Sequence, residues 1–143
     1  MAAVGMLERV EEMIARGETA RAVEILRGEW ERDPDNCQIA NAYGCACFHA
    51  GRLDEAERVF RVLRESFPDD SPSANNLGYL YMSQQKWPEA AELFREALRL
   101  APDDLEVRLN LGIAISGAGE SARALAVFDA VLAARPGSVI ALN

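Results

Sequence analysis

Cys45, Cys47 and His49 stand close together in the chain, with Cys37 a little upstream. Thiols and an imidazole at this spacing are raw material for a metal site or a Cys–His nucleophile. On a helix, residues four apart share a face, so Cys45 and His49 point the same way and Cys47 points elsewhere. A zinc site takes about four ligands at recognisable spacing, and the chain has only 1 His and 3 Cys, with no second cluster. Nucleophilic catalysis needs a base oriented by a third group, and neither that group nor an oxyanion loop is evident. The chain is therefore expected to bind no metal and to be no enzyme. No glycine-rich phosphate loop or nucleotide fingerprint is present, so no cofactor is expected either. Cys47 reads as a small buried hydrophobe, and His49 as a binding contact. The pairs Asp69-Asp70 and Asp103-Asp104 fall where helices should begin, where carboxylates cap the chain and offset the helix dipole.

A second chemistry lies in the amides. Asn41, Asn75 and the last residue, Asn143, fall in one column of a repeat, and Asn76 and Asn110 in the adjacent column. An amide side chain donates and accepts hydrogen bonds at once, so a row of them can hold an extended peptide whatever its sequence. Such a row presupposes a repeating scaffold.

The scaffold is visible in the prolines. Pro34, Pro68, Pro102 and Pro136 are spaced by 34 residues, as are Ala22, Ala56, Ala90 and Ala124 and the bulky column Leu26, Phe60, Phe94 and Phe128. Gly44, Gly78 and Gly112 follow the same period, with Val10 in the first slot. Two residues after each periodic proline stands a good N-cap: Asn36, Asp70, Asp104 and Ser138. Apolar residues recur at helical spacing on both sides of a central break in each unit. This predicts first helices near 3–16, 37–50, 71–84 and 105–118, and second helices near 19–32, 53–66, 87–100 and 121–134. Breaks fall at Gly17, Gly51, Gln84–Lys86 and Gly117–Gly119. Pro88 suits the first turn of a helix, where a missing N–H is harmless. Small residues in the Gly and Ala columns mark helix crossings. Proline ends each second helix because the residue before it avoids the helical region. No single pair can bury its apolar face, so neighbours must stack.

A 34-residue helix–turn–helix unit with Leu-Gly, an aromatic, Ala, Phe and Pro resembles the tetratricopeptide repeat family. The third unit reads Leu77-Gly78, Tyr81, Ala90, Phe94, Ala97, Pro102, and the fourth Leu111-Gly112, Ile115, Ala124, Phe128, Val131, Pro136. The second reads Tyr43-Gly44, Cys47, Ala56, Phe60, Leu63, Pro68, and the first departs most, with Arg9-Val10, Met13, Ala22, Leu26, Glu29, Pro34. The family's early Trp is replaced by Met6, Ala40, Ala74 and Arg108. The resemblance implies an all-α fold: a right-handed α-solenoid of four antiparallel helix pairs, forming a single domain over 1–143. The repeats would span 3–36, 37–70, 71–104 and 105–138, with 139–143 opening a fifth first helix. It also implies that first helices line the concave side.

The stripe of each first helix left free by packing then meets a ligand. Its peptide-binding candidates are Gln38, Asn41, Cys45, Phe48 and His49 in unit two, Asn75, Asn76, Tyr79 and Met82 in unit three, and Asn110 and Ile113 in unit four. In unit one the stripe holds Val4, Leu7, Glu8, Glu11, Ile14 and Ala15. Family members that grip a C-terminal carboxylate do so with Lys and Arg on this stripe. Here it has none, so an acidic tail is a poor ligand. The units carry 5, 4, 3 and 3 basic residues against 9, 6, 5 and 3 acidic ones, and the N-terminal end should favour basic partners.

The overall balance agrees. With 50% hydrophobic and 27% charged residues in 143, the chain is too apolar to be disordered. No apolar run is long enough to span a membrane, and no secretory signal opens it. A net charge of −8 argues against nucleic acid, whose phosphates need basic patches. Three cysteines without an export signal suit a reducing cytoplasm, and Arg in place of Lys suits a bacterial source. The expected function is a protein–protein interaction scaffold that holds a peptide segment of a partner in its groove. The alternatives are a regulatory or substrate-docking region of a larger enzyme such as a glycosyltransferase, or a subunit of a bacterial secretion or pilus machine. A solenoid end without a polar cap leaves an apolar face, so a homodimer through the C-terminal end is a further expectation.

Overall fold

The computed structural model describes residues 2–119 and 121–134, with side chains over 5–119 and 127–133. Eight helices, and no strand, are formed among the described residues. They are α1 (Ala2–Ala15), α2 (Thr19–Arg32), α3 (Cys37–His49), α4 (Leu53–Ser66), α5 (Ser71–Ser83), α6 (Trp87–Leu100), α7 (Leu105–Gly117) and α8 (Ser121–Ala134). The second helix of each pair has the expected bounds. The first helices end one residue early. No helix of the described residues is long and apolar enough to cross a membrane. The expectations for Ser138 as a cap, for Asn143 and for a fifth helix from 139 lie outside the described residues, as do the side chains of Val4 and Ala124.

The chain forms two compact units, Met1–Asn76 and Leu77–Asn143, and the boundary falls within α5. In the first unit α1 packs on α2 and α3, α2 on α3, and α3 on α4. In the second, α6 packs on α7 and α7 on α8. Short turns fold each second helix back along its first.

These turns explain the early stops. Gly17, Gly51 and Gly119 have φ of +83, +78 and +87°, and Gln85, in the same repeat position, has +60°. A left-handed residue lets the next N–H reach back five residues and close the helix. Glu18 N–H donates to Met13 O at 2.9 Å, Arg52 N–H to Cys47 O at 2.8 Å and Lys86 N–H to Tyr81 O at 2.9 Å. Gln85 is the one of the four that carries a side chain into this region. Gln85→Gly should therefore raise stability by about 0.5–1 kcal/mol, since glycine enters it without steric cost. A urea denaturation midpoint that falls instead would show that the Gln85 side chain holds the turn.

The second helices end alike. Asp33, Phe67 and Ala101 take φ between −133 and −139° with ψ of 73 to 78°, and each precedes a periodic proline. The next helix then starts on a side-chain cap. Asn36 Oδ1 accepts from Ile39 N–H at 3.1 Å, Asp70 Oδ2 from Ser73 N–H at 3.0 Å and Asp104 Oδ1 from Val107 N–H at 3.2 Å. Pro88 sits in the first turn of α6.

The core is built from the periodic columns. Ala22, Ala56, Ala90, Leu26 and Phe94 are fully buried, and Phe60 very nearly so. The glycine column has a sharper reason than close backbone approach. A Cβ placed on Gly78 would lie 2.7 Å from Phe94 Cε1, and one on Gly112 would lie 2.6 Å from Phe128 Cε1; Gly44 meets Phe60 in the same way. The missing side chain makes room for a phenylalanine edge 16 residues on. In the first repeat Val10 and Leu26 fill these two places and both are buried, so a larger residue in one is matched by a smaller one in the other.

Across α2, α3 and α4 a polar cluster ties the first unit together. Arg27 donates from Nε to Tyr43 Oη at 3.1 Å and from Nη2 to Glu55 Oε2 at 2.7 Å, and the Tyr43 hydroxyl donates to the same carboxylate oxygen. Trp30 packs on the Tyr43 ring with centroids 5.4 Å apart.

Candidate functional site

The first unit holds a cleft of about 470 Å³ between α1, α3 and the start of α5. Amphipathic α1 contributes Leu7, Val10, Glu11 and Ile14. From α3 come Cys37, Gln38, Asn41, Ala42, Cys45 and His49, which fall on one side because they recur at three- and four-residue steps. Asp70 and Pro72 close the end where α5 begins. The volume is in the range of small-ligand pockets, about 300–1,000 Å³. The walls are mainly apolar, two carboxylates and an exposed imidazole interrupt them, and no Lys or Arg lines the cleft.

Asn41 organises its end. The amide is buried, at 9% exposure. Its Nδ2 donates to Cys37 O and to Asp70 Oδ2, both at 3.0 Å, and its Oδ1 accepts from Asn76 Nδ2 at 2.9 Å. Both amide hydrogens are thereby spent on the protein itself. Asp70 caps the first turn of α5 with the oxygen that receives Asn41, so one carboxylate joins the start of α5 to the middle of α3.

The sulfurs are held as neutral thiols. Burial pushes the Cys45 thiol up to about 11 and is the main cause that pushes Cys47 up to about 12; it also raises Cys37. All three are free cysteines. Protonated thiols are poor nucleophiles and poor metal ligands. Among the described residues no three His, Cys, Asp or Glu side chains cluster as a metal site would require.

Of the residues singled out from the sequence, the first unit brings Gln38, Asn41, Cys45 and His49 into one cleft, with Asn76 bonded to Asn41. Phe48 is half-buried and meets the His49 ring edge-on, with centroids 5.5 Å apart. Asn75 is half-buried. In the second unit Tyr79 and Ile113 occupy one repeat position on α5 and α7 and are 47% and 46% exposed. Met82 is half-buried, and Asn110 is buried at 9% exposure. Val10, Cys37 and Asp70 were not among the candidates. Val10 stood in the packing column, Asp70 read as a cap, and Cys37 opened its helix. The signal for Val10 was the departure from glycine, which puts an apolar side chain beside the cleft.

Comparison with known proteins accords with this architecture. Two family models described as tetratricopeptide repeat match residues 13–77 and 75–139. Among curated proteins none matches. Solved structures that align include MamA, with TM-score 0.79 and 16% identity over 92% of this chain and 77% of that one. The MamA MSR-1 structure aligns with TM-score 0.74 and 24% identity over 96% and 79%. A tetratricopeptide repeat protein from Parabacteroides merdae ATCC 43184 aligns with TM-score 0.79 and 19% identity over 96% and 55%. At these identities the likeness is one of fold: an all-α solenoid class built of helix pairs.

Proposed function

This chain belongs to the tetratricopeptide repeat family, and from that premise we infer that it is a non-catalytic scaffold that binds a peptide segment of a partner protein along the inner faces of its first helices. That it is a protein-interaction module follows from the repeats themselves. The peptide reading rests on one observation above the rest. Apolar side chains that a monomeric core would bury stand exposed at matching positions on two first helices, Tyr79 on α5 and Ile113 on α7. Exposed aromatic and aliphatic groups on a rigid frame supply the contact area on which peptide recognition depends. Thiols that burial keeps neutral weigh against catalysis by a cysteine nucleophile. Unpaired cysteines suit a reducing cytoplasm.

The buried asparagines are poor probes of this reading, because Asn41 and Asn76 hold each other and Asn110 is buried. Tyr79→Ala combined with Ile113→Ala changes two side chains that are each about half exposed. Peptides selected from a random library against the intact chain should bind this double variant at least ten-fold more weakly, with its thermal melt unchanged. Equal affinity for parent and variant would place peptide recognition elsewhere.

A further inference from the structure

We propose that the cleft of the first unit is a cation-selective subsite that takes an arginine or lysine side chain from a basic segment of the partner. The inference rests on the peptide reading above and specifies what the segment must carry. Three observations lead to it. The first is shape with polarity: Leu7, Ile14 and Ala42 form an apolar wall beside Glu11 and Asp70. A long basic side chain has this composition, an aliphatic stem and a charged head. A purely apolar residue would desolvate Glu11 without pairing it. An acidic one would meet it as a like charge.

The second is the field. The first unit carries nine Arg and no Lys against fifteen Asp and Glu, six of the chain's eight excess negative charges. The third is where its positive charges go. Arg21, Arg27 and Arg32 of α2 pair with Glu18, Glu24, Glu55 and Glu29, Arg52 pairs with Glu24 and Glu55, and Arg61 of α4 pairs with Glu57. These arginines are neutralised along the second helices and their turns, while the carboxylates of the cleft face no Lys or Arg within its lining. Asp70 already accepts from Asn41 and Ser73, and Arg64 donates to its backbone oxygen at 3.3 Å, so the exposed Glu11 is the carboxylate that draws an approaching cation.

The test uses the intact chain, labelled with nitrogen-15, and three capped synthetic peptides that alternate leucine with arginine, glutamine or glutamate. The arginine peptide should shift the amide signals of Glu11, Gln38 and His49 first and bind at least ten-fold more tightly than the glutamine peptide. Its affinity should fall as salt rises. Glu11→Lys, at an exposed position, should weaken the arginine peptide at least five-fold without altering the melt. Equal binding of the arginine and glutamine peptides in the cleft would overturn the cation preference and leave the peptide reading intact. Arginine-dependent shifts confined to α2 and α4 would overturn the assignment to this cleft. No binding of any of the three, while library-selected peptides still bind through Tyr79 and Ile113, would overturn the subsite alone.

Discussion

Phe94→Ala is expected to cost about 3–5 kcal/mol, the range for removing a buried phenylalanine, and to lower the thermal midpoint by roughly 10 °C or more. The ring is fully buried and its edge fills the space that Gly78 leaves open, so deletion empties a cavity flanked by two helices. The converse change tests the same contact. Gly78→Ala puts a methyl group 2.7 Å from Phe94 Cε1 and should cost about 1–3 kcal/mol by overpacking. The two positions must then couple. Phe94→Leu should be less harmful in the Gly78→Ala background than alone, because the smaller side chain gives back the room. The first repeat contains a natural form of this exchange in Val10 and Leu26. Chemical denaturation of the four proteins closes the cycle. Strict additivity would show that ring and glycine do not meet.

Glu55→Gln is expected to be the next most damaging change, at about 1.5–3 kcal/mol, the range for hydrogen bonds to a charged group. The carboxylate receives both the Tyr43 hydroxyl and the Arg27 guanidinium, and neither finds an equal partner in an amide. Those bonds, Tyr43 first and Arg27 second, hold the Glu55 carboxyl below the usual glutamate range. A lowered folded value means that the contribution is complete above the unfolded value of 4.5 and is lost as pH falls through the folded one. Burial, followed by the bond to Glu55, raises the Tyr43 phenol above its ordinary 10.0. Its contribution is present below that value and is lost as pH rises through the raised one. The stability gap between parent and Glu55→Gln should thus be widest near neutral pH and close in acid. A gap that stays constant down to about pH 3 would mean that the charge on Glu55 contributes nothing.

Most of the frame was legible because repetition averages out local ambiguity. One proline would be weak punctuation, but a single period of prolines, each two residues ahead of an Asn, Asp or Ser, gives the starts of α3, α5 and α7 to the residue. Asn36, Asp70 and Asp104 confirm this by capping α3, α5 and α7. The glycine column was placed correctly and its cause only partly read. Spacing shows that a small residue is needed, and only coordinates show that a phenylalanine 16 residues later occupies the gap. The site was harder to read. Stripe positions told which residues of α3 share a face, and four of them do line one cleft. They could not tell which way an amide turns. Asn41 spends its hydrogens on Cys37 and on Asp70, which lies 29 residues away, and that choice depends on a rotamer and a neighbour no local pattern records. Asp70 was hidden by its own second role, since a helix cap gives no sign that its other face closes a pocket.

The ring edges resting on Gly44, Gly78 and Gly112 also set a clock. A phenylalanine turns over by sweeping its edge through its surroundings, and here the edge lies so close to a glycine of the facing helix that not even a methyl group would fit between them. Half-turns of the buried Phe60 and Phe94 are therefore expected to wait for the two helices of a pair to part briefly, which moves them from the fast regime of loose aromatics toward the microsecond-to-millisecond range of collective motion, with the half-buried Phe128 turning sooner. Line shapes of the three rings would report, repeat by repeat, how often each hairpin breathes, and the first repeat, which has Leu26 in that place, would be silent.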